Sequence, residues 1–140
     1  MFKNGNTTFT NLTLASLANN RNTYGIKISH TNGINITSVK LRTRDDCVAM
    51  ISGIKNVRIT NVFCGSGHGI SVESLGGGGN PHELPVEDVV VRNCTFNGFK
   101  NGVQIKTWPF PSKTPLNISN FIYEDIIMIN LKNLIFINQQ

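Results

Sequence analysis

The dipeptide Asp45-Asp46 and the tripeptide Gly67-His68-Gly69 hold the residue types from which acid-base chemistry is built, and Gln104-Ile105-Lys106 adds an amide and a cation further along the chain. Two adjacent carboxylates raise the pKa of one of the pair, because like charges disfavour a second ionisation. One carboxylic acid can then protonate the leaving oxygen of a glycoside while its neighbour deprotonates water. An Asp-Asp dipeptide taken alone is most simply a solvated turn. The chemistry therefore depends on elements that bring His68 and Lys106 beside it.

Those elements are read from a repeat. The apolar alternations Ile26-x-Ile28, Val48-x-Met50, Ile70-x-Val72, Val103-x-Ile105 and Ile135-x-Ile137 recur at steps of 22, 22, 33 and 32 residues. A second series begins at Ile34, Val57, Val89 and Phe121, at steps of 23, 32 and 32. Both consist of short period-two strands rich in Val and Ile and broken by Asn and Gly. Two series sharing one period of about 22 residues are what a parallel β-helix needs, since each coil must return the chain one strand spacing higher. A β-sandwich would have no reason to keep that period. The expected fold is all-β, a solenoid of about 22–32 residues per coil forming one domain over residues 1–140. The excess of the longer coils lies in loops at 76–85 and 107–115, both rich in Gly or Pro. Asn61 and Asn93, in register with Ser38 and Asp125, suit left-handed turn positions.

With that register the chemistry becomes legible. The column just before the first strand series reads Tyr24, Asp46, His68, Asn101. Strict alternation would turn these side chains inward, where an unpaired carboxylate is costly. The chain is expected to bend there so that the column lines an open groove, with the two carboxyls splayed to leave room for water. Gln104 falls one coil above Ser71, and Lys106 one coil above Glu73.

Composition narrows the field. No apolar run approaches the length of a membrane span, and 39% hydrophobic residues argue against disorder. Thirteen Lys and Arg against eight Asp and Glu leave a net charge of +5 and a general attraction to polyanions. The cations are scattered rather than gathered in a run of the nucleic-acid-binding kind, so neither nucleic acid nor membrane is an expected partner. Cys47, Cys64 and Cys94 allow one internal disulfide and leave one thiol over. The first residues lack the apolar stretch of a secretory signal. Five Asn-x-Ser/Thr sequons hint at secretion, weakly in a chain with nineteen Asn.

The blocks Asn22-Thr23-Tyr24-Gly25, Thr43-Arg44-Asp45-Asp46-Cys47-Val48, Gly65-Ser66-Gly67-His68-Gly69-Ile70 and Gln104-Ile105-Lys106 resemble, in order and spacing, the four signature blocks of plant polygalacturonases, glycoside hydrolase family 28 of the pectin lyase-like superfamily: NTDG, TGDDC, G-x-GHG and RIK. The resemblance implies a right-handed parallel β-helix, inverting hydrolysis of α-1,4-galacturonan in pectin, a monomer, no cofactor or metal, and a secreted or cell-wall setting. Under it Asp45 is the proton donor, Asp46 activates water, His68 supports the donor and Lys106 binds a uronate carboxylate. The same resemblance pairs Cys47 with Cys64 in a disulfide and leaves Cys94 a buried thiol.

The departures cluster at the groove. Tyr24 stands at a degenerate catalytic position where the family has a third Asp, and Gln104 replaces an Arg able to clamp a substrate carboxylate. Arg44, where a Gly is usual, is expected to lie against the donor pair and to favour its ionised form. Glu73, where a small residue is usual, is expected to neutralise Lys106 or to repel a polyuronate. Family members also carry further coils at both ends. The expectation is a shortened relative whose hydrolysis is impaired, with an inactive pectin-binding protein or a solenoid remnant as the alternatives.

Overall fold

In the computed structural model, the residues described are 6–16, 22–77, 81–98, 100–109 and 115–139. The Val and Ile alternations become eleven strands: β1 (Thr7–Thr10), β2 (Thr13–Ala15), β3 (Ile26–Ile28), β4 (Thr31–Arg42), β5 (Asp46–Met50), β6 (Ile54–Gly65), β7 (His68–Leu75), β8 (Val86–Asn97), β9 (Asn101–Thr107), β10 (Ile118–Ile129) and β11 (Asn133–Gln139). One sheet runs β1-β4-β6-β8-β10 with β2 also on β4, and the other runs β11-β9-β7-β5-β3. Every pairing is parallel and joins one coil to the next, so the chain is a parallel β-helix.

The registers are those of the repeat. Ile26, Val48, Ile70, Val103 and Ile135 are partners in succession, as are Ile34, Val57, Val89 and Phe121. Val48 and Ile70 are fully buried and Val103 nearly so, one interior column. The second series is longer than the sequence pattern conveys, with 12 residues in each of β4, β6, β8 and β10. These strands turn corners of the coil without losing their ladders, at Gly33, Asn56, Asp88 and Asn120 and again at Ser38, Asn61, Asn93 and Asp125, all with positive φ. Asn, Asp and Gly tolerate that conformation best, and the side chains stack by hydrogen bonding: Asn93 Nδ2 donates to Asn61 Oδ1 at 2.6 Å, and Asn120 Nδ2 to Asp88 Oδ1 at 2.9 Å. Of the two expected loops, residues 78–80 and 110–114 lie outside the described residues.

The disulfide Cys47–Cys64 ties β5 to β6 across a Cα separation of 5.7 Å, and Cys94 is a buried free thiol. Burial pushes that thiol's pKa up, which keeps it unreactive. The core thins toward β11, where Ile135 and Ile137 are 65% and 68% exposed because that strand pairs only with β9.

Candidate active site

Sheet β3-β5-β7-β9-β11 positions the chemistry. Asp46 opens β5 and His68 opens β7, and the two are ladder partners. Gly67 has φ +77°, and a Cβ there would lie 2.5 Å from the Asp45 carbonyl oxygen, so a residue without a side chain lets the His68 turn settle on the carboxylate turn below. The His68 N–H donates to that same carbonyl at 3.1 Å. The result is a short network: Asp46 Oδ1 lies 2.9 Å from His68 Nδ1 and accepts from Ser71 Oγ at 2.8 Å, while the Asp46 N–H donates to Asp45 Oδ1 at 2.9 Å.

A cavity of about 290 Å³ opens here, lined by Asp45, Asp46, His68, Glu73, Gln104 and Lys106, with Trp108, Phe136 and Asn138 along its far side. The structure thus brings the sequence-selected Asp45, Asp46, His68, Gln104 and Lys106 to one groove. Lys106 Nζ sits 4.8 Å from the centroid of the Trp108 ring, a cation-π contact that leaves the ammonium beside an aromatic face. Gln104 is buried, its Oε1 accepting from Asn101 Nδ2 at 2.6 Å.

Four expectations need correction. Asp46 does not line an open face: it is 1% exposed, at the floor of the cavity, made tolerable by the bonds from His68 and Ser71. The two aspartates do not splay, since one oxygen of each and a nitrogen of His68 all lie within 4.8 Å of one another, held by the Asp46 N–H bond to Asp45. Three such atoms are a possible cation donor set, although His68 Nδ1 and Asp46 Oδ1 are spent on each other. Arg44 is exposed, lines a different cavity, and among the described residues makes no ion pair with Asp45 or Asp46. It lies in the bend between β4 and β5, outside either strand.

Glu73 does not neutralise Lys106. Its Oε1 accepts from the Tyr24 hydroxyl at 2.7 Å, and its Oε2 lies 3.8 Å from Lys27 Nζ, which in turn sits 4.4 Å from the Tyr24 ring centroid. Lys27 and Glu73 are on coils separated by the coil of Ala49, so the bridge passes over a small side chain. Burial first, then the hydrogen bond and charge of Glu73, then Asp45 and Asp46, push the Tyr24 pKa well above its usual value. Ser71, Lys27 and Trp108 had no assigned role in the sequence. Period two does place Trp108 on the Lys106 side and Ser71 beside Glu73, but nothing in the pattern tells which neighbours they meet.

The fold and the site together are a parallel β-helix with two carboxylates, an imidazole and a cation gathered in a groove of one sheet. Residues 1–140 match the sequence profile of glycosyl hydrolases family 28, and the chain belongs to that family. It is 46% identical over 134 residues to a polygalacturonase of Nicotiana tabacum, covering 96% of this chain and 33% of the relative. It is 42% identical over 135 residues to a polygalacturonase of Brassica napus, covering 96% and 33%, and 42% identical over 134 residues to an exopolygalacturonase of Oenothera organensis, covering 96% and 36%. The chain thus spans about a third of the length of these relatives. No solved structure matches it.

Proposed function

We propose that this chain carries the catalytic groove of a hydrolase that cleaves α-1,4-galacturonan, the acidic polymer of pectin, with inversion at the anomeric carbon. The observation that supports it most is the hydrogen-bonded set Asp45, Asp46 and His68 at the floor of a cavity that also holds Lys106. Asp45, the more accessible of the two aspartates, protonates the glycosidic oxygen. Asp46, fixed by His68 and Ser71, takes the proton from water. Lys106 pairs with a uronate carboxylate, and the Trp108 ring beside it offers a face to the sugar. Because Asp46 is buried and bonded on both sides, a covalent attack on the sugar by its carboxylate is disfavoured. The two aspartates lie closer than the separation that admits a water in inverting enzymes, so inversion rests on the resemblance to family 28, and the pair must part to admit the water. One chain holds the whole set, so a monomer suffices, and the disulfide fits the oxidising wall space where pectin lies.

Turnover is reduced relative to a groove with a third carboxylate, because position 24 supplies a hydroxyl already donated to Glu73. The same observation favours a second reading, a pectin-binding protein without catalysis. Release of reducing ends from polygalacturonate, measured beside equilibrium binding of the same polymer, separates the two. Release that disappears in Asp45→Asn supports hydrolysis, and binding without release supports the second reading.

A further inference from the structure

Three of the thirteen Lys and Arg lie together on a face the groove does not use. A cavity of about 590 Å³, within the range of small-molecule and sugar sites, is lined by Arg42, Arg44 and Lys100 together with Ala15, Ser16, Ser66 and Gly67. No carboxylate is among these lining residues, and among the described residues none of the three cations has an ion-pair partner; the acidic groups that do form ion pairs go to Lys27, Lys55, Arg92 and His68. Three like charges around one hollow with nothing to neutralise them are an unfavourable arrangement that an anion would relieve.

Arg42 pairs with Gly65, and Gly65 with Asn97. Gly65 is covered by the Phe63 ring and the Arg42 stem, and Gly67 is pressed so closely on the Thr43 and Asp45 carbonyls that no Cβ would fit, so this coil presents the small Ser66 side chain to the hollow. Arg42 and Arg44 on one coil face Lys100, two coils up, across it. Two strand spacings separate the backbones by about 9.6 Å, and long Arg and Lys side chains on both sides can grip successive carboxylates of a chain. Guanidinium forks match carboxylates in bidentate fashion. No aromatic side chain lines the hollow, so it lacks the stacking platform that single-stranded nucleic acids use.

We propose that Arg42, Arg44 and Lys100 form a second, non-catalytic binding site for a polyuronate chain, on the far side of the turn that carries Asp45. The choice of polyuronate among polyanions rests on the function proposed for the groove. Holding one stretch of the polymer here raises the local concentration of another stretch at the groove.

The test is equilibrium binding of polygalacturonate to the full chain carrying Asp45→Asn, which stops cleavage, with and without Arg42→Ser, Arg44→Ser and Lys100→Ser. All three positions are exposed, so folding is preserved, and circular dichroism checks it. Arg44→Ser and Lys100→Ser each weaken binding several-fold and the triple variant at least tenfold, while binding of a galacturonate trimer, which fills the groove alone, stays constant. The site is excluded by a triple variant that binds polygalacturonate like its parent. It is equally excluded if polyphosphate of matched charge binds the parent as tightly as polygalacturonate, because the face is then an indiscriminate basic surface. If the unsubstituted chain releases no reducing ends while the triple variant loses polymer affinity, hydrolysis is removed and the site stands. If the unsubstituted chain cleaves normally while the triple variant binds like its parent, the reverse holds.

Discussion

At the scale of residues, the groove is decided by what each carboxylate is bonded to. Tyr24 is a neutral donor: its pKa is raised by burial and then by Glu73, so the hydroxyl form is the one the fold favours. The stability linked to it is fully present below about pH 10, the unfolded value, and is lost only as pH rises above that. Tyr24 therefore adds no limb to a rate profile measured between pH 4 and 9, and Tyr24→Phe should leave that profile unshifted. Tyr24→Asp restores a carboxylate, and kcat on an oligogalacturonide should rise by about 10², the lower end of what a general base contributes. An unchanged kcat would show that position 24 does not limit turnover. Ser71 makes the other informative change. Its hydroxyl donates to the buried Asp46 carboxylate, a bond to a charged group worth about 1.5–3 kcal/mol. Ser71→Ala should lower kcat by about 10- to 100-fold with KM nearly constant, and an effect confined to KM would place Ser71 in substrate binding instead.

At the scale of elements, the site exists because β5, β7 and β9 stack in register, and glycines set how closely they do so. A Cβ on Gly69 would collide with the Gly102 carbonyl of the next coil. Gly69→Ala should therefore cost about 1–3 kcal/mol, the usual penalty of overpacking, read as a lower denaturation midpoint together with lost activity. The repeat was legible because its inward positions are Val and Ile at fixed steps, and that alone predicted the partners Asp46 and His68. The length of β4, β6, β8 and β10 was not legible, because Asn and Asp read as strand breaks although the left-handed residues bend the ladder without ending it. Side-chain pairing was hidden too. Lys27 and Glu73 meet over Ala49, a reach across two coils that no single-coil pattern encodes, and a register irregularity after Val72 disturbs the alternation that would have aimed Glu73 at Lys106.

At the scale of the whole molecule, stability comes from the interior columns and from one covalent tie. The Cys47–Cys64 bond closes a separation of 17 residues, for which chain entropy gives about 3 kcal/mol. Cys47→Ser with Cys64→Ser should lower the denaturation free energy by about that amount, and reduction of the parent should reproduce the loss. Because Cys47 adjoins Asp46, the unfolding midpoint and the temperature at which activity disappears should fall together. Under the two proposals, an acidic polymer is cut at the groove that holds Asp45, Asp46 and Lys106 and is held by the cations Arg42, Arg44 and Lys100 across the turn. The most direct test of this assignment is the rate of reducing-end release from polygalacturonate by the folded parent and by Asp45→Asn. The parent should release reducing ends from polygalacturonate and none from a neutral polysaccharide, and Asp45→Asn should lose at least about 10² in rate. A folded parent that releases none, or an Asp45→Asn variant as fast as the parent, would contradict the catalytic role given to the groove.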